Sequence, residues 1–377
     1  LLEKLGCGFY LSYETIPEES KKFSFAEWEI EDSPAYPLRL VFNWHNFLSG
    51  ITTWNIDDWS VWIEQAAKMR YNTIMIHSYG NNPMMEFEMN GEKKEVGYLA
   101  NTAKGREGGT NHTNDVRRLF GSDSFYEDSI FGADASKVPD NERVDAAIRL
   151  AQDAFKKADE YGMNVAFTFD VGDRRSLPAN IVNTLPEHAK LKTRRTWYPN
   201  PETDEGFEYY KVQAKQILEM YPQIDYFIPW VRYRVPEQSS DFMRVEQFPD
   251  EWEKEFKDGI SLENMDDNTF TRSMFFIGKI CEAYRLAVDE LGFSDVKMGI
   301  GTWNWAAFPA MDKFLPEEYE FFPLDWYMNF HTDSTVKTLN SMDSSRKVHP
   351  IVWAHHDDHS YMGKPYTPYA NNADMLE

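Results

Sequence analysis

The chain has 377 residues, 42% of them hydrophobic, with 39 basic against 62 acidic side chains and a net charge of −23. That length supports one large domain with a small companion, and that charge argues against nucleic acid or an anionic membrane surface as partner, since both demand a basic footprint. Cys7 and Cys281 have neither disulfide-framework nor metal spacing, and no apolar run reaches the roughly 18 residues that a membrane span needs.

In chain order, residues 1–36 read as the C-terminal end of an upstream α/β domain and its linker. LLEKLGCGFY ends a helix at Gly6 or Gly8 and enters a strand near Phe9 to Tyr13; FSFAEWEI (23–30) alternates as an edge strand, and SPAYP (33–37) is the linker. Residues 37–377 then carry seven short β-branched and aromatic runs: LRLVFNWHNF from Leu38, NTIMIHSY from Asn72, NVAFTFDVGD from Asn164, IDYFIPWVRYR from Ile224, VKMGIGTWNW from Val296, FFPLDWYMNFHTD from Phe321 and VHPIVWAHHDDH from Val348.

Helical patterns separate the runs. The first covers about Asp57 to Met69, capped by Asn55 or Asp57, with Trp59, Ile63, Ala66 and Ala67 on one face. The second spans Asn141 to Tyr161 and stops at Gly162; the third covers Gly206 to Met220, the fourth Thr269 to Leu291, and shorter helices flank Met311 and Thr335. A long Gly- and Asn-rich stretch, Gly80 to Asn141, is expected over the mouth of the fold.

Continuous apolar runs alternating with helices signify parallel strands buried on both faces, and seven in series predict a TIM (β/α)₈ barrel. After the seventh unit, YTPYANNADMLE offers no eighth strand, so the barrel is expected to lack its last strand here and the sequence to be the middle of a longer protein.

Barrels of this kind build their sites at the C-terminal ends of the strands. Asn43, Trp44, His45, His77, Asp170, Arg232, Trp303, Asn304, Trp326 and His355 fall there. Such a lining of aromatic, amide, imidazole and guanidinium groups suits a hydroxyl-rich ligand such as a carbohydrate. Trp230, Trp305 and Trp353 are further rings at or near strand ends, able to stack on a sugar or pack under one. Arg174, Arg175, Arg194, Arg195 and Arg234 add guanidinium forks in an acidic chain, suited to an anionic or highly hydroxylated ligand or to pairing with nearby acids.

Glycoside cleavage uses one carboxyl group to protonate the leaving oxygen and a second as nucleophile or base. Glu237 follows the fourth run within RVPEQ, Asp333 follows the sixth, and Asp357 and Asp358 follow the seventh inside HHDDH, where strand alternation turns only one of the two toward a pocket. His355, His356 and His359 around that pair leave a metal-dependent barrel hydrolase as an alternative. A non-catalytic carbohydrate-binding barrel is a third reading. Hydrogen bonding to sugar hydroxyls is the simpler use of these groups, so no metal and no cofactor are expected.

The opening LLEKLGCGFYLSYETIP, a linker, LRLVFNWHNF and the amphipathic WSVWIEQAAKMRYNTIMI together resemble the junction of microbial α-glucuronidases and hexosaminidase-like exo-glycosidases, in which a small α/β domain precedes a catalytic barrel. The resemblance covers residues 1 to about 80. It implies an exo-acting hydrolase of plant or algal polysaccharide fragments, working in the periplasm or outside a bacterial cell. It also implies that Glu237 is the general acid and that the base is among Asp333, Asp357 and Asp358. The acidic Asp-Glu pair of the hexosaminidases after the fourth strand is absent, which implies a mechanism without acetamido assistance.

Overall fold

The computed structural model describes residues 2–10, 13–18, 29, 31, 33–44, 54–78, 83–94, 142–171, 177–192, 197–231, 268–302, 308–325, 342 and 345–352. Near the start, β1 (Gly8–Phe9) and β2 (Glu14–Thr15) form a small antiparallel pair. Seven strands then follow for which the sequence supplied seven runs: β3 (Leu40–Trp44), β4 (Thr73–Ser78), β7 (Asn164–Val171), β10 (Ile224–Val231), β11 (Lys297–Thr302), β12 (Glu320–Asp325) and β13 (Ile351–Val352). Two hairpins lie between them, β5 (Glu88–Met89) with β6 (Glu92–Lys93) and β8 (Lys190–Lys192) with β9 (Trp197–Pro199).

The seven strands make one parallel sheet whose order, β3 through β4, β7, β10, β11 and β12 to β13, is chain order throughout. A parallel sheet that never reverses its winding, with crossovers of one hand, keeps its helices on one face. The other face then buries itself only by curling inward, which is the geometry of a TIM-type barrel wall.

Side-chain alternation divides the interior accordingly. Ile74, Ile76, Val165, Phe167, Phe169, Phe227, Val231 and Ile300 point outward into a large core shared with the helices. Met75, Ala166, Tyr226, Ile228, Trp230, Phe322, Leu324 and Ile351 form a separate inner core, joined by Leu38, Leu40 and Phe42. The Phe42 and Trp230 rings stand 6.2 Å apart although β4 and β7 lie between their strands, so the wall is curved. In β11 the inward positions beyond Lys297 are both glycine, Gly299 and Gly301. A Cβ on Gly301 would fall 1.9 Å from Trp230 Cε3, and one on Gly299 would fall 2.6 Å from Phe322 Cε2. The flanking rings occupy the space that β11 leaves.

The outer layer holds α1 (Ile56–Lys68), α2 (Arg143–Glu160), α3 (Ala179–Thr184), α4 (Asp204–Met220), α5 (Asn268–Leu291) and α6 (Phe308–Phe314). Helix α1 begins in a capping box: Asn55 Oδ1 accepts from the Asp58 amide at 2.9 Å, and Asp58 returns the bond to the Asn55 amide at 3.1 Å. Helix α2 ends before Gly162, whose φ of +66° only glycine adopts without strain. Arg346 fastens the last part of the wall. With its side chain 5% exposed, it pairs with Asp312 at 2.7 Å and donates to the carbonyls of Asp312, Leu315 and Tyr319.

Residues 83–94, expected at the mouth, belong instead to the helix layer. Met84, Met85 and Phe87 are buried in the outer core, Phe87 meets Tyr209 edge-on, and Gln216 of α4 exchanges two hydrogen bonds with the Glu88 backbone. Three large apolar residues here have more area to gain from the core than a polar rim offers. Of the other expected elements, the edge strand at 23–30, a helix near Thr335 and residues 95–141 lie outside the described residues. No described helix is long and apolar enough to cross a membrane.

Candidate active site at the strand ends

Because all seven strands are parallel and adjacent, their C-terminal ends share one rim. On that rim the register aligns Trp44 with His77, His77 with Thr168, Asp170 with Trp230, and Trp230 with Gly301. Along β4 the inward phase set by Met75 carries His77; along β7 the phase set by Ala166 carries Thr168 and Asp170. Neighbouring strands stand about 4.8 Å apart, so an inward imidazole and an inward carboxylate near the ends of adjacent strands meet.

They do so. His77 Nε2–H donates to Asp170 Oδ1 at 2.9 Å, with the side chains 0% and 1% exposed. The Trp230 ring stands edge-on to the imidazole, centroids 5.9 Å apart. A carboxylate withdrawn from water needs a donor, and an imidazole held through Nε2 has a fixed ring plane. The trio is therefore a rigid, polar floor under the rim. Trp230 is fully buried, so its ring packs against the imidazole.

Asn43 and Trp44 are the last two residues of β3, with their backbone paired to β4. His45, Arg232, Glu237, Trp303, Asn304, Trp326, Asp333, His355, Asp357 and Asp358 lie outside the described residues, as do His356, His359, Trp305, Trp353 and the six arginines from Arg174 to Arg234 named above. Among the described residues no group of three or more His, Cys, Asp or Glu is arranged to hold a metal ion.

The opposite, N-terminal end of the wall is charged in a different manner. Glu320 takes His349 Nε2–H at 2.7 Å and Lys347 at 3.1 Å, while Lys297 donates to the Tyr226 hydroxyl at 3.0 Å. Burial pushes the Glu320 carboxyl up, and the bonds from His349 and Lys347 outweigh it, leaving the group below its ordinary value. These contacts tie β13 to β12 and β10 to β11, which is the stabilising role expected at that end of a barrel.

Two features escaped the sequence. The His77–Asp170 pair joins residues 93 apart; strand phase alone could have signalled it, since both fall on inward positions. Lys94 is buried at the end of the first hairpin, and burial lowers its ammonium to about 7. Nothing in the local sequence separates it from exposed Lys93 beside it.

No family model matches the chain, and no curated protein matches its sequence. Solved structures that it is similar to include a β-N-acetylhexosaminidase from Bacteroides fragilis NCTC 9343, at 12% identity and a TM-score of 0.46, covering 85% of this chain and 51% of that one. A GH20 β-N-acetylhexosaminidase from Streptomyces coelicolor A3(2) follows at 10% identity and 0.42, covering 86% and 50%. A GH138 enzyme targeting pectin rhamnogalacturonan II stands at 10% identity and 0.40, covering 90% and 37%. The chain thus spans about half or less of the length of these three proteins.

Proposed function

We propose that the chain is the catalytic barrel of a glycoside hydrolase, with residues 1–36 closing a preceding small α/β domain and residues 37–377 carrying the site. The observation that carries this reading is the parallel, unreversed sheet, which releases the chain at one rim after every strand. The segments leaving β10, β12 and β13 contain Glu237, Asp333, and Asp357 with Asp358. In this reading these carboxyl groups, as far as 121 residues apart in sequence, share one cavity above His77, Asp170 and Trp230.

In this reading Glu237 protonates the departing glycosidic oxygen, and one of Asp333, Asp357 and Asp358 acts on the far face of the sugar. A separation of about 6.5–9.5 Å between the two carboxyl groups means inversion, and about 5–5.5 Å means retention. Asn43, Trp44, His45, Arg232, Trp303, Asn304, Trp326 and His355 line the sugar pocket, with His77 and Asp170 beneath them. The enzyme is exo-acting and α-glucuronidase-like, works on plant or algal polysaccharide fragments, and operates in the periplasm or outside the cell.

A panel of aryl glycosides that includes α-glucuronides tests the proposal. Release of the aglycone, unaffected by a chelator, is the expected result. Activity that vanishes with chelator and returns with zinc points to a metal hydrolase centred on His355 to His359, and retained sugar binding without turnover points to a binding barrel.

A further inference from the structure

The β8–β9 hairpin carries a cationic and aromatic face in an otherwise acidic protein. Pairing sets Lys190 opposite Pro199, Leu191 opposite Tyr198 and Lys192 opposite Trp197. Leu191 and Tyr198 are buried and anchor one side of the hairpin. On the other side the Lys190 and Lys192 ammonium groups each stand 5.7 Å from the centroid of the half-buried Trp197 ring. Lys190 also pairs with Glu187 at 3.4 Å. Lys192 has no carboxylate within 4.0 Å among the described residues, and its ammonium faces the indole.

The hairpin's place is fixed by α4, which runs back from the rim toward the start of β10. Asn200, directly after β9, accepts the Thr203 hydroxyl at 2.8 Å through its carbonyl, and Thr203 caps the helix by accepting from the Gly206 amide at 3.2 Å. A Cβ on Gly206 would fall 1.9 Å from the Asn200 carbonyl oxygen, so the hairpin rests directly on the first turn of α4. That turn is at the rim end, because the helix descends antiparallel to the strands it joins.

We propose that this face is a separate binding site for an acidic oligosaccharide, outlying from the catalytic pocket and resting on the hydrolase reading for its purpose. A pyranose ring presents an apolar face that an indole can hold, and a uronate adds a carboxylate that the exposed Lys192 ammonium can take, with Lys190, shared with Glu187, beside it. Against a net charge of −23, two lysines on one strand face create a local attraction for an anion that the rest of the surface repels. The site takes the uncleaved, carboxylate-bearing part of a polymer and presents its end to the rim.

The test is calorimetric titration of the full chain with an oligogalacturonate, a neutral malto-oligosaccharide of equal length and an oligoglutamate. The oligogalacturonate is expected to bind, and both others to bind at least about fivefold more weakly. The Lys190→Gln/Lys192→Gln variant is expected to lose at least about fivefold in affinity for the oligogalacturonate, as removal of one exposed and one largely buried charge implies. Equal binding of oligoglutamate, or a smaller loss in the variant with its circular dichroism unchanged, overturns the inference. Turnover of a small aryl glycoside by the same variant is expected to match the parent. Absence of any turnover in the parent sinks the hydrolase reading while leaving this binding result to stand or fall by itself.

Discussion

The His77 imidazole and Asp170 carboxylate depend on each other, because neither is in contact with water. Replacing Asp170 by Ala removes the 2.9 Å hydrogen bond to the buried His77 imidazole and is expected to cost about 1–3 kcal/mol in urea unfolding. His77→Ala is expected to cost a similar amount. The double variant should cost clearly less than the sum, since the second change removes a partner already lost; strict additivity would show that the two side chains do not act as a pair. Lys94 gives a pH signature of opposite character. Burial lowers it to about 7 from 10.5, so between these values the unfolded chain holds a proton that the folded chain has released. Stability contributed by this site is at its lowest below pH 7 and rises with pH above it, by up to about 1.4 kcal/mol per unit. Unfolding free energies of the parent minus those of Lys94→Met, measured at pH 7, 8 and 9, are expected to increase steadily; a constant difference would mean that the amine titrates alike in both states.

At the level of elements, β11 is the sensitive strand of the wall, since its glycines accommodate the rings of its neighbours. Gly301→Ala is expected to cost about 1–3 kcal/mol through overpacking against Trp230, and Gly301→Ala with Trp230→Phe should recover part of it; thermal denaturation of the three variants decides. The seven strands and the four long helices were legible because each is a periodic, locally consistent segment: Val144, Ile148, Ala151, Phe155 and Ala158 mark α2, and NVAFTFDV marks β7. The glycines of β11 were visible but not their purpose, which depends on rings from β10 and β12. The β5–β6 and β8–β9 hairpins were missed because strands of two or three residues carry no period to read. Polarity predicts residues 83–94 at the mouth, whereas Met84, Met85 and Phe87 draw them into the helix layer. The Arg346 clamp likewise connects residues 34 apart. Arg346→Met removes this buried ion pair and the Arg346 bonds to the carbonyls of Asp312, Leu315 and Tyr319, and is expected to cost about 3–5 kcal/mol in urea unfolding.

For the whole molecule, the consequence of the winding is chemical. One rim receives the chain after each strand, so residues with no sequence proximity are brought to one place, while charge pairs such as Glu320–His349 tie neighbouring segments together at the far end. The described part of the rim is its floor, and of the residues expected to form the pocket only His77 and Asp170 have described side chains there. The acids proposed for catalysis come after these strands in the sequence. The most direct test compares the parent with Glu237→Gln on two glycosides of one sugar, a nitrophenyl glycoside whose leaving group departs unaided and an alkyl glycoside whose oxygen must be protonated. The account predicts a loss of roughly 100- to 10,000-fold on the alkyl glycoside and a much smaller loss on the nitrophenyl one; equal losses on both, or none on either, would contradict it.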